Sequence, residues 1–189
     1  MKRVLIFCLF FLVTQFVIAE NISLSQLLAQ LNFKSQTAQI NYTETRYLHF
    51  LNKPLVSTGT LYFHRPNYLE QEVISPQPGG FVINQQQLTI TDNNKTYTVK
   101  LSDYPNLWAM STTLQALLTN DLNFLSRYYN SSIIGTLAQW QLQLMPKPQV
   151  NIEISKIIIN GKYNQIETIT LQFNNGDWLQ QQLTKVIEH

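Results

Sequence analysis

The chain has 189 residues, 44% of them hydrophobic and 13% charged, with a formal net charge of +2 and a single cysteine, Cys8. Lys2 and Arg3 account for that excess if an N-terminal leader is removed, and only Arg46, Arg65, Arg127 and scattered lysines remain; a nucleic-acid binder needs a basic face that neutralises several phosphates, so that class is set aside. With its one thiol inside the leader, the remainder has no disulfide, catalytic cysteine or cysteine metal site.

Residues 1–19 begin with Lys2 and Arg3, continue through the apolar run Val4 to Leu12 and end on Val17-Ile18-Ala19. This is the pattern of a secretory signal peptide cleaved after Ala19. Thr14 and Gln15 break the run before it reaches the roughly 20 residues of a spanning helix. Cys8 lies too early, and behind bulky Phe7, for lipid attachment. Residues 20–189 suit one domain, and no linker or repeat divides them.

The spacing of Ile22, Leu24, Leu27, Leu28 and Leu31 predicts a short amphipathic helix reaching to about Phe33. Period-two alternation from Gln36 to Phe50 predicts a long half-buried strand. Further strands are expected at 55–63, 68–74, 80–84, 87–92 and 96–101. Turn residues separate them at Asn52-Lys53-Pro54, Arg65-Pro66-Asn67, Gln77-Pro78-Gly79-Gly80 and Asp92-Asn93-Asn94, and such short links favour antiparallel neighbours.

Helical spacing returns from Asn106 to Tyr129. Leu107, Met110, Leu114, Leu117 and Leu118 form one stripe, and Asn120-Asp121 caps a second piece that carries Leu122, Leu125, Tyr128 and Tyr129. After Gly135, Ala138, Trp140, Leu142 and Leu144 alternate with glutamines. Strands at 152–159 and 164–173 form a hairpin closed by Asn160-Gly161, and a last strand covers 177–187. The sum is an α+β chain with an antiparallel sheet of about ten to eleven strands. Such a sheet curls, and if it does not close, its concave side needs cover. The helices are the available cover.

One segment is more specific. Residues 54–76 read PLVSTGTLYFHRPNYLEQEVISP, a G-x-L-x-hydrophobic strand running into R-P-N and a second strand that ends in Pro. With Gly59, Leu61, Phe63, Arg65, Pro66, Asn67, Leu69 and Pro76 in those positions, the segment resembles the matching hairpin of the LolA family of outer-membrane lipoprotein carriers. The resemblance implies an incomplete antiparallel β-barrel with a helical lid. It further implies a periplasmic carrier in a Gram-negative bacterium, one that binds acyl chains of lipoproteins or a related lipid. Such a carrier passes its cargo from an inner-membrane exporter toward an outer-membrane acceptor. An envelope sensor of lipids or lipoproteins built on the same half-barrel is the alternative.

The resemblance also assigns roles. Arg65 would hydrogen-bond to the lid and hold the cavity shut until cargo loads, and Leu69 stands where loading is controlled. Strand parity turns Arg65 to the side of Leu61 and Phe63; read from the residues alone, a solvated strand end or a turn cap is the favoured reading. Leu69 is not aromatic and Gln71 replaces a frequent Trp, which points to a divergent branch; the chain stops two residues after its final strand, so the family's usual transporter contact is expected to be absent or remodelled.

Candidate cavity-lining residues are Leu61, Phe63, Val73, Trp140, Leu142, Leu144, Ile169, Leu171 and Phe173, with ordinary core packing as the alternative for each. Leu107, Met110, Leu114, Leu117 and Leu118 are the lid candidates. A carrier is needed because burying a CH₂ is worth about 0.8 kcal/mol, so a ~16-carbon chain represents about 12 kcal/mol of exposure. Full capture of several chains would approach the non-covalent limit and prevent release. A loose grip is therefore expected.

Enzymatic chemistry is not expected. His49, His64 and His189 lack HExxH spacing, and no nucleophile elbow, P-loop or dinucleotide fingerprint is present. Glu70 and Glu72 share a strand face but read as solvated charges on an edge strand. No catalytic residue, metal or cofactor is assigned, and the protein is expected to be monomeric.

Overall fold

The computed structural model describes residues 22–31, 37–93 and 95–188. The expected signal peptide at 1–19, with Cys8, lies outside them, as does His189. The elements in chain order are α1 (Leu24–Leu31), β1 (Thr37–Tyr47), β2 (Leu55–His64), β3 (Tyr68–Ser75), β4 (Gly79–Asn84), β5 (Gln87–Asp92) and β6 (Lys95–Lys100). A 3₁₀ turn, Leu101–Asp103, leads into α2 (Pro105–Leu118) and α3 (Leu122–Tyr128). The chain ends with β7 (Tyr129–Thr136), β8 (Gln139–Pro146), β9 (Ile154–Lys162), β10 (Gln165–Phe173) and β11 (Trp178–Glu188).

All eleven strands form one sheet in the order β6-β5-β4-β3-β2-β1-β11-β10-β9-β8-β7, every adjacent pair antiparallel. This is the incomplete barrel with a helical lid. The order also explains why the lid exists. β6 and β7 are consecutive in the chain yet form opposite edges of the sheet, so residues 101–128 must cross from one edge to the other. Apolar residues on that crossing bury themselves against the concave face.

Two core clusters follow. The larger joins Leu27, Leu28 and Leu31 of α1 and Ala109, Ala116 and Leu117 of α2 to Trp140, Leu142, Leu144, Ile157, Ile159, Ile169 and Leu171 of the sheet. A smaller one gathers Leu69, Ile83, Leu88 and Leu101 beneath Leu107, Trp108 and Leu114. α2 buries residues on more than one side, Ser111 and Leu118 as well as Ala109, Thr113, Ala116 and Leu117, because it touches the sheet below and α1 and α3 beside it. Trp108, Phe124 and Tyr128 lock the α2–α3 corner, with ring centroids 4.7 to 6.2 Å apart.

Four expectations need correction. β7 is a strand where none was predicted, and Tyr129 opens it instead of ending a helix. Ala138 lies exposed in the turn between β7 and β8. Asn160-Gly161 is not the β9–β10 turn; both residues belong to β9, and the turn falls at Tyr163-Asn164 with Tyr163 at φ 51°. Gly161 serves packing instead, since a Cβ there would lie 2.3 Å from Trp140 Cζ2. Finally, β3, which carries Glu70 and Glu72, is an internal strand between β2 and β4.

Candidate functional site: a lidded cavity

A cavity of about 440 Å³ opens between the concave face and the N-terminal half of α2. That volume lies in the range of small-molecule sites. Its floor comes from Leu171 and Phe173 of β10, Leu179 of β11, Gln71 of β3 and Phe81 of β4, and its roof from Asn106, Leu107 and Met110 of α2. Glu44, Arg46 and Leu48, with Asp177 and Trp178, form one wall. A narrow apolar cavity of about 20 Å³ lies deeper under the helix, lined by Leu61, Leu69, Leu114, Leu117 and Ile169 and sharing Met110 and Leu171 with the first.

Residues proposed from sequence thus fall into two groups. Leu61, Leu69, Ile169, Leu171 and Phe173 of the sheet, and Leu107, Met110, Leu114 and Leu117 of α2, line one or both cavities. Trp140, Leu142 and Leu144 do not; they are buried in the larger core cluster that also holds the α1 leucines. α1 packs against the concave face at that end. Phe63 is 6% exposed and outside both cavities, Leu118 is buried without lining either, and Val73 borders a shallow depression between β3 and β4.

Among the described residues the lid is fastened at three places along α2. Arg65, in the β2–β3 turn, donates from Nη2 to Leu118 O at 2.6 Å. The carbonyl belongs to the last turn of α2, where acceptors lack partners within the helix and the helix dipole favours a cation. At the other end Asn106 Nδ2 donates to Glu153 Oε2 at 2.9 Å, while Glu153 N donates to Asn106 Oδ1 at 3.1 Å. In the middle Thr113 Oγ1 donates to the buried Tyr129 hydroxyl at 2.8 Å. Sequence reading singled out Arg65 alone, through the resemblance of its hairpin; the Thr113–Tyr129 and Asn106–Glu153 pairs carry no such motif.

A row of polar side chains crosses the middle of the concave face. Glu44, 5% exposed, accepts from Arg46 Nη2 at 2.9 Å and from Gln181 Nε2 at 3.0 Å. Gln181 Nε2 also donates to Gln71 Oε1 at 3.3 Å, and Gln71 Nε2 to the Tyr42 hydroxyl at 3.1 Å. Tyr42 in turn donates to Glu72 O at 3.4 Å, across β2. Gly59 makes that reach possible: a Cβ on it would stand 1.9 Å from Glu72 O and 2.7 Å from the Tyr42 hydroxyl. Burial pushes the Tyr42 phenol up to about 12, against the lowering effect of the Gln71 hydrogen bond. This row escaped sequence reading because only strand register assembles it.

At the mouth, His49 N and its ring Nδ1 both lie 2.8 Å from Asp177 Oδ1, and Asn175 Nδ2 donates to Oδ2. The His49 backbone N–H is the main cause holding the Asp177 carboxyl below its ordinary 3.8. His49 sits in the turn after β1 and not, as expected, within a strand.

The family described as outer membrane lipoprotein carrier protein LolA-like matches residues 17–186 of this chain. No curated protein sequence matches it. Solved structures similar to it include a domain from Vibrio parahaemolyticus assigned to outer membrane lipoprotein sorting, at 8% identity and TM-score 0.50, covering 87% of this chain and 90% of that one. A LolA superfamily protein from Nitrosomonas europaea follows at 7% identity and TM-score 0.48, covering 89% and 94%. A DUF1329 family protein from Desulfovibrio piger has 9% identity and TM-score 0.49 over 87% and 91%.

Proposed function

Because the chain belongs to the LolA-like outer membrane lipoprotein carrier family, we propose that it is a periplasmic carrier of acylated lipoproteins or a related lipid. Residues 1–19 direct export, and residues 20–189 form one carrier domain. It takes an acyl chain from an inner-membrane exporter, shelters it between α2 and the sheet, and yields it to an acceptor at the outer membrane. The observation that carries this reading is the apolar hollow under a helix fastened by few polar contacts. A hydrocarbon tail gains by leaving water there, and the helix has a small number of bonds to break for it to enter.

Arg65 is the latch in this account. Opening costs a charge-assisted hydrogen bond, on the order of 1.5–3 kcal/mol, an amount that cargo burial offsets. Arg65→Leu should load a fluorescent acyl probe faster and release it faster, with the fold intact by circular dichroism. Unchanged loading and release would remove Arg65 from the latch. Mass spectrometry of solvent extracts from protein purified gently out of the periplasm tests the cargo itself: bound acyl lipid or acylated peptide is expected, and an empty extract after retention of the fold speaks against carriage.

A further inference from the structure

A pocket for a bare hydrocarbon needs no carboxylate. Yet Glu44 and Gln71, 5% and 8% exposed, both line the 440 Å³ cavity beside Leu171, Phe173 and Met110. Burying such groups is costly unless they are bonded, and their mutual bonds use only part of their capacity. A carboxylate offers about four lone-pair positions, of which Arg46 and Gln181 occupy two. Gln71 Nε2 has two protons, and among the described residues its acceptor is the Tyr42 hydroxyl. The remaining charges on the cavity wall are Glu153 and Asp177, so three carboxylates face one guanidinium, and that guanidinium is already 2.9 Å from Glu44.

We propose that this polar row reads the cargo's head group and selects an acylated cargo whose head group carries a primary ammonium. The assignment rests on the cavity being the acyl site. The tail lies along Leu171 and Met110 toward the narrow cleft under α2, and the ammonium donates to the open lone pairs of Glu44. Anionic heads meet a wall whose balance of charge is negative. An amino phospholipid and an acylated peptide with a free α-amine both present this chemistry.

The test compares three probes of one chain length, n-decylamine, N-decylacetamide and decanoate, by calorimetric titration of the protein purified from the periplasm and stripped of lipid, below their micelle concentrations. A primary ammonium stays charged at pH 7 as that of lysine does. Decylamine is expected to bind about tenfold tighter than the other two, the size of one charge-assisted hydrogen bond, and Glu44→Gln should bring it level with the acetamide. Equal binding of all three by the natural protein overturns head-group reading while leaving the acyl cavity intact; no binding of any overturns the cavity reading as well. The natural protein's ranking decides even if Glu44→Gln does not fold. Lysophosphatidylethanolamine and a free-amine lipopeptide, each against its N-acetylated form, then separate the two sources. Loss of affinity on acetylation of either supports the assignment, and no loss for both overturns it.

Discussion

Gly161 lies next to the end of β9 with the Trp140 ring over it and Gln165 O 2.2 Å from where a Cβ would be. Neither neighbour has room to give, because Trp140 is 2% exposed and its Nε1 donates to Tyr163 O. Gly161→Ala is therefore expected to lose roughly 1–3 kcal/mol, read as a lower urea midpoint at unchanged slope. Gly176 is the contrast: it holds φ +88° with nothing within 4 Å, so alanine there strains only the backbone. At Asp177 the effect depends on pH. Its carboxyl sits below 3.8 in the folded protein, so the unfolded chain binds the proton more readily and stability falls as pH drops through that region. Asp177→Asn should be less stable than the natural protein above about pH 5, with the gap closing below pH 4 in urea titrations. Asp177 and Glu44 have roles that depend on partners far away in sequence. Asp177 bonds to a backbone 128 residues earlier, and Glu44 to a glutamine 137 residues later, distances over which no local pattern carries information.

Elements were more legible than residues. Strands with one buried and one solvated face, such as β8 with Trp140, Leu142 and Leu144 inward, announce themselves by period two. β7 did not, because as an edge strand its Asn130, Ser131, Ser132 and Ile134 are all exposed, and nothing forces alternation on a strand with little to bury. Asn160-Gly161 misled for a related reason: glycine satisfies a crowded ring as readily as a tight turn. The cap of α3 was legible, with Asp121 Oδ1 accepting from Phe124 N at 2.9 Å. Asp121→Ala should cost about 0.5–2 kcal/mol, measured by chemical denaturation, and should raise hydrogen exchange in α3 before the sheet. α2 has no side-chain cap at its start, and Pro105 occupies its first turn, a position where the missing N–H has no cost. Asn106 beside it fixes the position of that end through its side-chain bonds to Glu153.

At the scale of the whole molecule, the sheet is a ladder with its firmest rungs in the centre. β1 is bonded along most of its length to both β2 and β11, whereas β6 and β7 each have one neighbour. Amide exchange should accordingly be slowest in β1, β2 and β11, faster in β6 and β7, and in α2 it should slow selectively when an acyl ligand is added. Uniform exchange across the sheet, or an α2 indifferent to ligand, would contradict this arrangement. The open-barrel class was legible from strand count and short turns, since many antiparallel strands and few helices admit few arrangements. Which strand stands at each edge was not, because order in a sheet is set by pairings that no single segment encodes.

The neighbourhood of β1 and β11 bears on how the molecule is assembled. Of the described strands β11 comes last in the chain, so the seam that joins the two wings of the sheet can be sewn only after all the others have emerged. Until then β1 stands as a bare border with its donors and acceptors unmet, the kind of surface that recruits strands from other chains. The wings β1–β6 and β7–β10 are built from neighbours in sequence and can form early; their union waits on one late strand, which makes that final pairing the step most exposed to error.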